Sequence, residues 1–128
     1  MQREEALDMR VLLADAQAKV RSALRLLLEQ EPDMEVAAEV SDGRALLAAA
    51  GANEGDIVLV DWFLPGVAPD WLVAELRSRW PHLYIIALSG RPEAAAAATW
   101  AGADAFVSKC DPPEALLDAV QQARSRGH

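Results

Sequence analysis

The stretch Asp56-Ile57-Val58-Leu59-Val60-Asp61-Trp62-Phe63-Leu64-Pro65-Gly66 decides how this chain folds. Ile57 to Val60 is short, wholly apolar and rich in β-branched residues, which suits a central parallel strand buried on both faces. Asp61 closes the run, and Leu64-Pro65-Gly66 turns the chain away. A carboxylate at the C-terminal end of such a strand lies on the sheet edge where open α/β folds place their chemistry. One acid is therefore presented at the mouth of a sheet.

Working outward, Met9 to Ala14 reads as a buried strand ending at Asp15. Val20, Leu24, Leu27 and Leu28 recur at helical spacing and predict a helix over 18–30, stopped near Pro32. Met34, Val36 and Ala38 alternate against Glu35 and Glu39, as in a second strand over Met34 to Val40. Ser41-Asp42-Gly43 offers turn and cap chemistry before a helix over 44–51. Asp70 to Arg79 is expected as a helix with Trp71, Leu72 and Leu76 inward, ended by Trp80-Pro81. Leu83 to Leu88 is a fourth strand closing at Ser89-Gly90, and Pro92 suits the first turn of a helix reaching Ala101. Gly102 ends that helix, and Ala105 to Ser108 is a fifth strand closing at Lys109. Asp111-Pro112-Pro113-Glu114 reads as a helix start with Asp111 as N-cap, Pro112 at N1 and Glu114 at N3. The last helix runs to Arg126 with Leu116, Leu117 and Val120 inward. Five βα units in strict alternation predict a doubly wound, five-stranded parallel sheet with right-handed crossovers.

Composition narrows the function. The 128 residues are expected to form a single domain over 1–128, with a core over 9–124, and 52% hydrophobic content supports that core. No apolar run approaches the roughly 20 residues of a membrane span. Met1-Gln2-Arg3-Glu4-Glu5 is charged and lacks a secretory h-region, so a cytoplasmic location is expected. A net charge of −8 argues against a nucleic-acid surface on this domain. Cys110 is the single cysteine, which excludes an internal disulfide and a cysteine zinc cage. His82 and His128 are too few and too separated for a histidine metal site, and the terminal His128 is expected to be mobile.

Polar residues fall at the ends of four strands: Asp15, Asp61, Ser89 and Lys109. In a flavodoxin-like order, 2-1-3-4-5, the second strand lies at the edge and the other four strand ends share one rim. Two carboxylates, a hydroxyl and an ammonium there suit a hard divalent cation and a phosphoryl group. Taken singly, a strand-end Asp is most often a helix N-cap, a Ser is turn chemistry and a Lys is solvated. Their convergence on one rim is what argues for a shared site.

The residues that carry a resemblance are Arg10-Val11-Leu12-Leu13-Ala14-Asp15, Asp61 with Pro65-Gly66, Ser89-Gly90, Ala101-Gly102-Ala103 with Phe106, and Lys109. In these the chain resembles the CheY-like receiver domain of two-component response regulators, from Met9 to Arg124. The Pro112-Pro113-Glu114 helix start looks most like LuxR/NarL-type receivers. The resemblance implies that Asp61 accepts a phosphoryl group from a sensor histidine kinase or phosphotransfer protein. It implies that Lys109 pairs with the phosphorylated Asp61, and that Ser89 binds a phosphoryl oxygen and moves on activation. Phe106 would be the aromatic switch that follows Ser89. Magnesium would be held by Asp15, Asp61 and the backbone carbonyl of Phe63. Such a domain is a signalling phosphoacceptor rather than an enzyme in its own right, at most catalysing its own phosphoryl transfer and dephosphorylation.

One position departs from the pattern. The family has two adjacent acids after the first strand, and here they are Asp15-Ala16. Alignment on Val20, Arg21 and Leu24 makes Ala16 the second acid, usually the direct metal ligand, and a methyl group cannot coordinate magnesium. A register slipped by one makes Asp15 the direct ligand and Ala14 the loss. Two functions stay open: a working phosphoacceptor with weakened magnesium dependence, or a pseudo-receiver that serves as a phosphorylation-independent interaction or dimerisation module. An aspartyl phosphatase fits poorly, because Phe63 stands where a second acid would act. A flavin or nucleotide site lacks its Gly-rich loop.

Trp100, on the fourth helix, is either an interface anchor or folded over the Ala94–Ala98 face. The Ala-rich helix could also pair with a second copy of the chain. The segment ending at His128 is either a stand-alone receiver or part of a longer regulator of transcription with a helix-turn-helix output domain.

Overall fold

The computed structural model describes residues 9–126. The readings of Met1–Glu5 and of His128 lie outside those residues. The apolar runs become strands: β1 (Met9–Ala14), β2 (Met34–Val40), β3 (Ile57–Asp61), β4 (Tyr84–Ser89) and β5 (Ala105–Ser108). The amphipathic stretches become α1 (Ala18–Glu29), α2 (Gly43–Ala52), α3 (Pro69–Arg79), α4 (Ala94–Ala101) and α5 (Pro113–Arg126). All neighbouring strands pair in parallel, in the order β2-β1-β3-β4-β5. This is the expected doubly wound, flavodoxin-like sheet.

Strand side chains alternate between two cores because the pleat has a period of two. Leu12, Ala14, Val58, Val60, Ile85 and Ala87 face one core, against α2, α3 and α4. Val11, Leu13, Ile57, Leu59, Ile86 and Leu88 face the other, against α1 and α5. Burial of β1, β3 and β4 on both faces is why these strands lack polar alternation. Trp62 and Leu64, just past β3, are buried in the first core and anchor the loop after Asp61.

Five local expectations are corrected. In β2 the register shifts between Val11 and Leu12, whose partners are Val36 and Ala38, so Ala37 is the extra residue of a bulge. Met34 and Val36 face the second core, while Ala38 and Val40 face the first. The alternation that grouped Ala38 with Met34 therefore breaks midway. In α3, burial of Leu72, Val73 and Leu76 rotates Trp71 outward, where it is 46% exposed. Asp111 does not cap α5. Its Oδ2 accepts the Ser108 N–H at 3.2 Å, closing a turn after β5, and Pro113 takes the first helical position. Pro92 precedes α4, which begins at Ala94. Leu117 is only half-buried, whereas Leu116 and Val120 are buried as expected.

The N-terminal edge of the sheet is tied by one arginine. Arg77 of α3 donates to the carbonyls of Pro81, Leu83 and Gly102 at 3.0, 2.9 and 3.2 Å, and it pairs with Asp104. Asp104 also accepts the Ile85 N–H at 2.8 Å and pairs with Arg126 of α5. The Gly102 φ of +121° is a conformation that side chains other than glycine's rarely adopt, so the chain can turn from α4 into this clamp.

Candidate functional site

The strand register fixes the site. Ala14 pairs with Val60, Asp61 with Leu88, and Ser89 with Ser108. Asp15, Asp61, Ser89 and Lys109 therefore emerge at the C-terminal rim on adjacent strands. Asp61 and Ser89 are the last residues of their strands rather than the first residues after them. Ser89 is buried.

Lys109 joins the two acids. Its Nζ donates to Asp15 Oδ2 at 2.6 Å and stands 3.6 Å from Asp61 Oδ2. The Lys109 N–H donates to the Ser89 carbonyl at 2.8 Å, which ties the β5–α5 loop to β4. The Asp15 side chain is 1% exposed, a burial that a carboxylate tolerates only when paired and hydrogen-bonded. Its Oδ1 accepts the Gln17 N–H at 2.9 Å, and its carbonyl accepts from Arg21 at 2.7 Å. Gln17, not Asp15, is the N-cap of α1, so the simple capping alternative for Asp15 does not hold.

Asp61 is less enclosed. Its Oδ1 accepts the Phe63 N–H at 3.1 Å, and among the described residues Oδ2 has only the longer approach of Lys109. The loop beyond turns at Gly66, whose φ is +105°, and Pro65 accepts the Gly43 N–H at 2.8 Å. Ser89 Oγ accepts the Arg91 N–H at 3.0 Å, leaving its own hydrogen to donate. Phe63 is 52% exposed, with the Arg91 guanidinium carbon 5.2 Å from its ring centroid.

A scan of known families matches residues 11–121 to the response regulator receiver domain. The chain belongs to that family. The nitrate/nitrite response regulator protein NarP of Escherichia coli (strain K12) is 32% identical over 119 residues, covering 91% of this chain and 55% of that protein. The transcriptional regulatory protein YxjL of Bacillus subtilis (strain 168) is 31% identical over 116 residues, covering 89% of this chain and 53% of that one. This receiver thus spans about half the length of the curated relatives it matches. A LuxR-family two-component response regulator from Aurantimonas sp. superimposes with a TM-score of 0.87 at 26% identity, over 93% of this chain and 86% of that one.

Receiver domains generally bind magnesium at an acidic pocket. Magnesium takes near-octahedral oxygen, through one or two carboxylates with waters and substrate phosphate. Ala16 supplies no oxygen, and both oxygens of the buried Asp15 are already engaged. Asp61 Oδ2 is, among the described residues, the oxygen of this acid pair that has no hydrogen bond. Among the described residues no group of three or more His, Cys, Asp or Glu could hold a metal. This donor set does not fit magnesium well.

Of the other expected residues, Phe106 is half-buried against the first core, beside Ala87 in the sheet. Trp100 is 93% exposed, which removes the alternative that it folds over the alanine face. The sequence reading missed Gln17, Arg21 and Arg91. Gln17 acts through its backbone and carries no side-chain signal. Arg91 was legible only as a cation two residues beyond Ser89. Among the described residues no helix is long and apolar enough to cross a membrane.

Proposed function

We propose that Asp61 accepts a phosphoryl group from a sensor histidine kinase or phosphotransfer protein, and that the modified rim changes what the domain binds. The observation that carries this reading is Lys109 Nζ, set between Asp15 Oδ2 at 2.6 Å and Asp61 Oδ2 at 3.6 Å. An ammonium so placed can follow negative charge onto a phosphoryl oxygen without leaving Asp15. Asp61 Oδ2 attacks phosphorus in line, and the bond to the donor's imidazole nitrogen breaks with its electron pair. The imidazole leaves, and an acyl phosphate remains on Asp61.

Ser89 then turns its hydroxyl from the Arg91 N–H toward a phosphoryl oxygen, and Phe106 follows into the space beside it. Trp100 is the proposed anchor of the switched surface, for a second copy of the chain or another protein. The whole of 1–128 is taken as one receiver domain in the cytoplasm. In a longer protein we propose that it governs a DNA-binding output domain, since YxjL is named as a transcriptional regulatory protein and NarP as a response regulator. The pseudo-receiver reading is less economical, because Asp61, Ser89 and Lys109 are all retained on one rim.

Acetyl phosphate supplies the test. Asp61 should become labelled, and the fluorescence of the adjacent Trp62 should change with beryllofluoride. Neither response, with or without millimolar magnesium, would leave the pseudo-receiver as the surviving reading.

A further inference from the structure

Arg91 brings a further cation to this rim. Arg10, Arg21, Arg77 and Arg126 each lie within ion-pair distance of a carboxylate. Arg91 enters no ion pair among the described residues. Two contacts hold it instead. Its backbone N–H donates to Ser89 Oγ at 3.0 Å, which fixes where the side chain starts, and its guanidinium carbon stands 5.2 Å from the Phe63 ring centroid. Phe63 in turn donates its N–H to Asp61 Oδ1. Arg91 is therefore moored to both Ser89 and the Asp61 loop, with its fork of N–H groups uncommitted to any carboxylate.

The charges at the site explain what it could do there. Asp15 and Asp61 carry two negative charges, and Lys109 is bonded closely to the first. An incoming phosphoryl group adds negative charge beside Asp61. In the register that places Ala16 at the second acid, the carboxylate that would recruit a divalent cation is missing, and a second positive charge can come from the protein instead. A guanidinium is suited to this, since its planar fork matches phosphate oxygens.

We propose that Arg91 binds the phosphoryl group arriving at Asp61 and, with Lys109, supplies the positive charge that a metal would otherwise bring. The inference rests on Asp61 being the acceptor. Phe63 is the platform that keeps the guanidinium at the rim before the phosphoryl group arrives. With acetyl phosphate, Asp61 attacks phosphorus, the bond to the acetate oxygen breaks, and acetate leaves with the electron pair. No proton transfer is needed, so electrostatic positioning is what Arg91 contributes.

The test uses the 128-residue chain with acetyl phosphate, in EDTA and in millimolar magnesium. The wild type should label in EDTA, with magnesium changing its rate less than about twofold. Arg91→Ala should label roughly tenfold more slowly in EDTA, about one lost charge-assisted contact, while Arg91→Lys recovers part of the rate. Salt should slow the wild type more than Arg91→Ala, because an exposed charge is screened. Equal rates for wild type and Arg91→Ala in EDTA would overturn the role of Arg91. Labelling of the wild type only with magnesium would overturn it too, while leaving Asp61 as the acceptor. No labelling in either buffer would remove the acceptor itself.

Discussion

Both rims of the sheet hold charged side chains in partly buried positions, and they are finished differently. At the N-terminal rim Arg77 meets three carbonyls and Asp104, and both oxygens of Asp104 are committed. At the C-terminal rim both Asp15 oxygens are engaged too, but Asp61 keeps one oxygen with no partner nearer than 3.6 Å among the described residues, and Ser89 keeps a hydrogen to give. Saturated groups brace a structure because leaving one unpaired is costly. Partly satisfied groups beside them are able to react. The same residue types thus serve as a brace at one end and a reactive site at the other, according to how many of their bonds are made.

The contrast can be broken at either end. The largest effect is expected from Asp61→Asn, which should abolish acetyl-phosphate labelling outright while leaving the thermal midpoint within a few degrees of wild type. At the opposite rim Asp104→Ala should cost about 2 kcal/mol, because it removes the counter-charge of Arg77 and leaves the Ile85 N–H without its acceptor. Denaturant unfolding measures this, and the loss should be followed by no specific change in labelling rate of the remaining folded protein. Lys109→Met lies between the two, since Lys109 belongs to both kinds of group. Stripping the buried Asp15 of its cation should cost about 2 kcal/mol, discounted because the lysine is partly solvated, and labelling should fall at least tenfold.

Ala16→Asp should sharpen the comparison by restoring an oxygen to the rim. Labelling should then depend on magnesium, and Trp62 fluorescence should titrate with millimolar magnesium in the variant but not in the wild type. The smallest effect is expected from Trp100→Ala. Its stability should lie within about 0.5 kcal/mol of wild type, as for an exposed site, and sedimentation should show weaker self-association or partner binding.

The sequence carried the strands of the sheet centre clearly, because burial on both faces leaves uninterrupted apolar runs such as Ile57–Val60. Strict βα alternation then pointed to a doubly wound parallel sheet, and within it the flavodoxin-like order, which the structure has, places Asp15, Asp61, Ser89 and Lys109 on one rim. Which acid Lys109 prefers was not legible. It depends on a contact between residues 94 positions apart. The Arg77–Asp104 clamp was hidden for the same reason, with partners 27 apart and most of its bonds to backbone carbonyls. The outward turn of Trp71 reflects helix rotation by one residue, a difference that a short apolar pattern does not resolve. The departure at Ala16, by contrast, was visible at once as a missing acid, and the geometry adds that each oxygen of the buried Asp15 already has a hydrogen-bond partner.

The bulge at Ala37 has a consequence beyond the face it shifts. It turns Glu39 toward α1, within ion-pair distance of Arg21 and Arg25, and bonds to Glu39 and Glu29 raise the Arg25 guanidinium above its ordinary pKa. A kinked border strand latched to a helix by charge is a poor template for adding another chain's strand. The opposite border, β5, is only four residues long. With both selvedges of the sheet closed to extension, a neighbouring molecule has to meet this domain through side chains on its helices and loops. Such contacts can be made or withdrawn by a rotamer change, whereas a shared backbone ladder could not be released so readily.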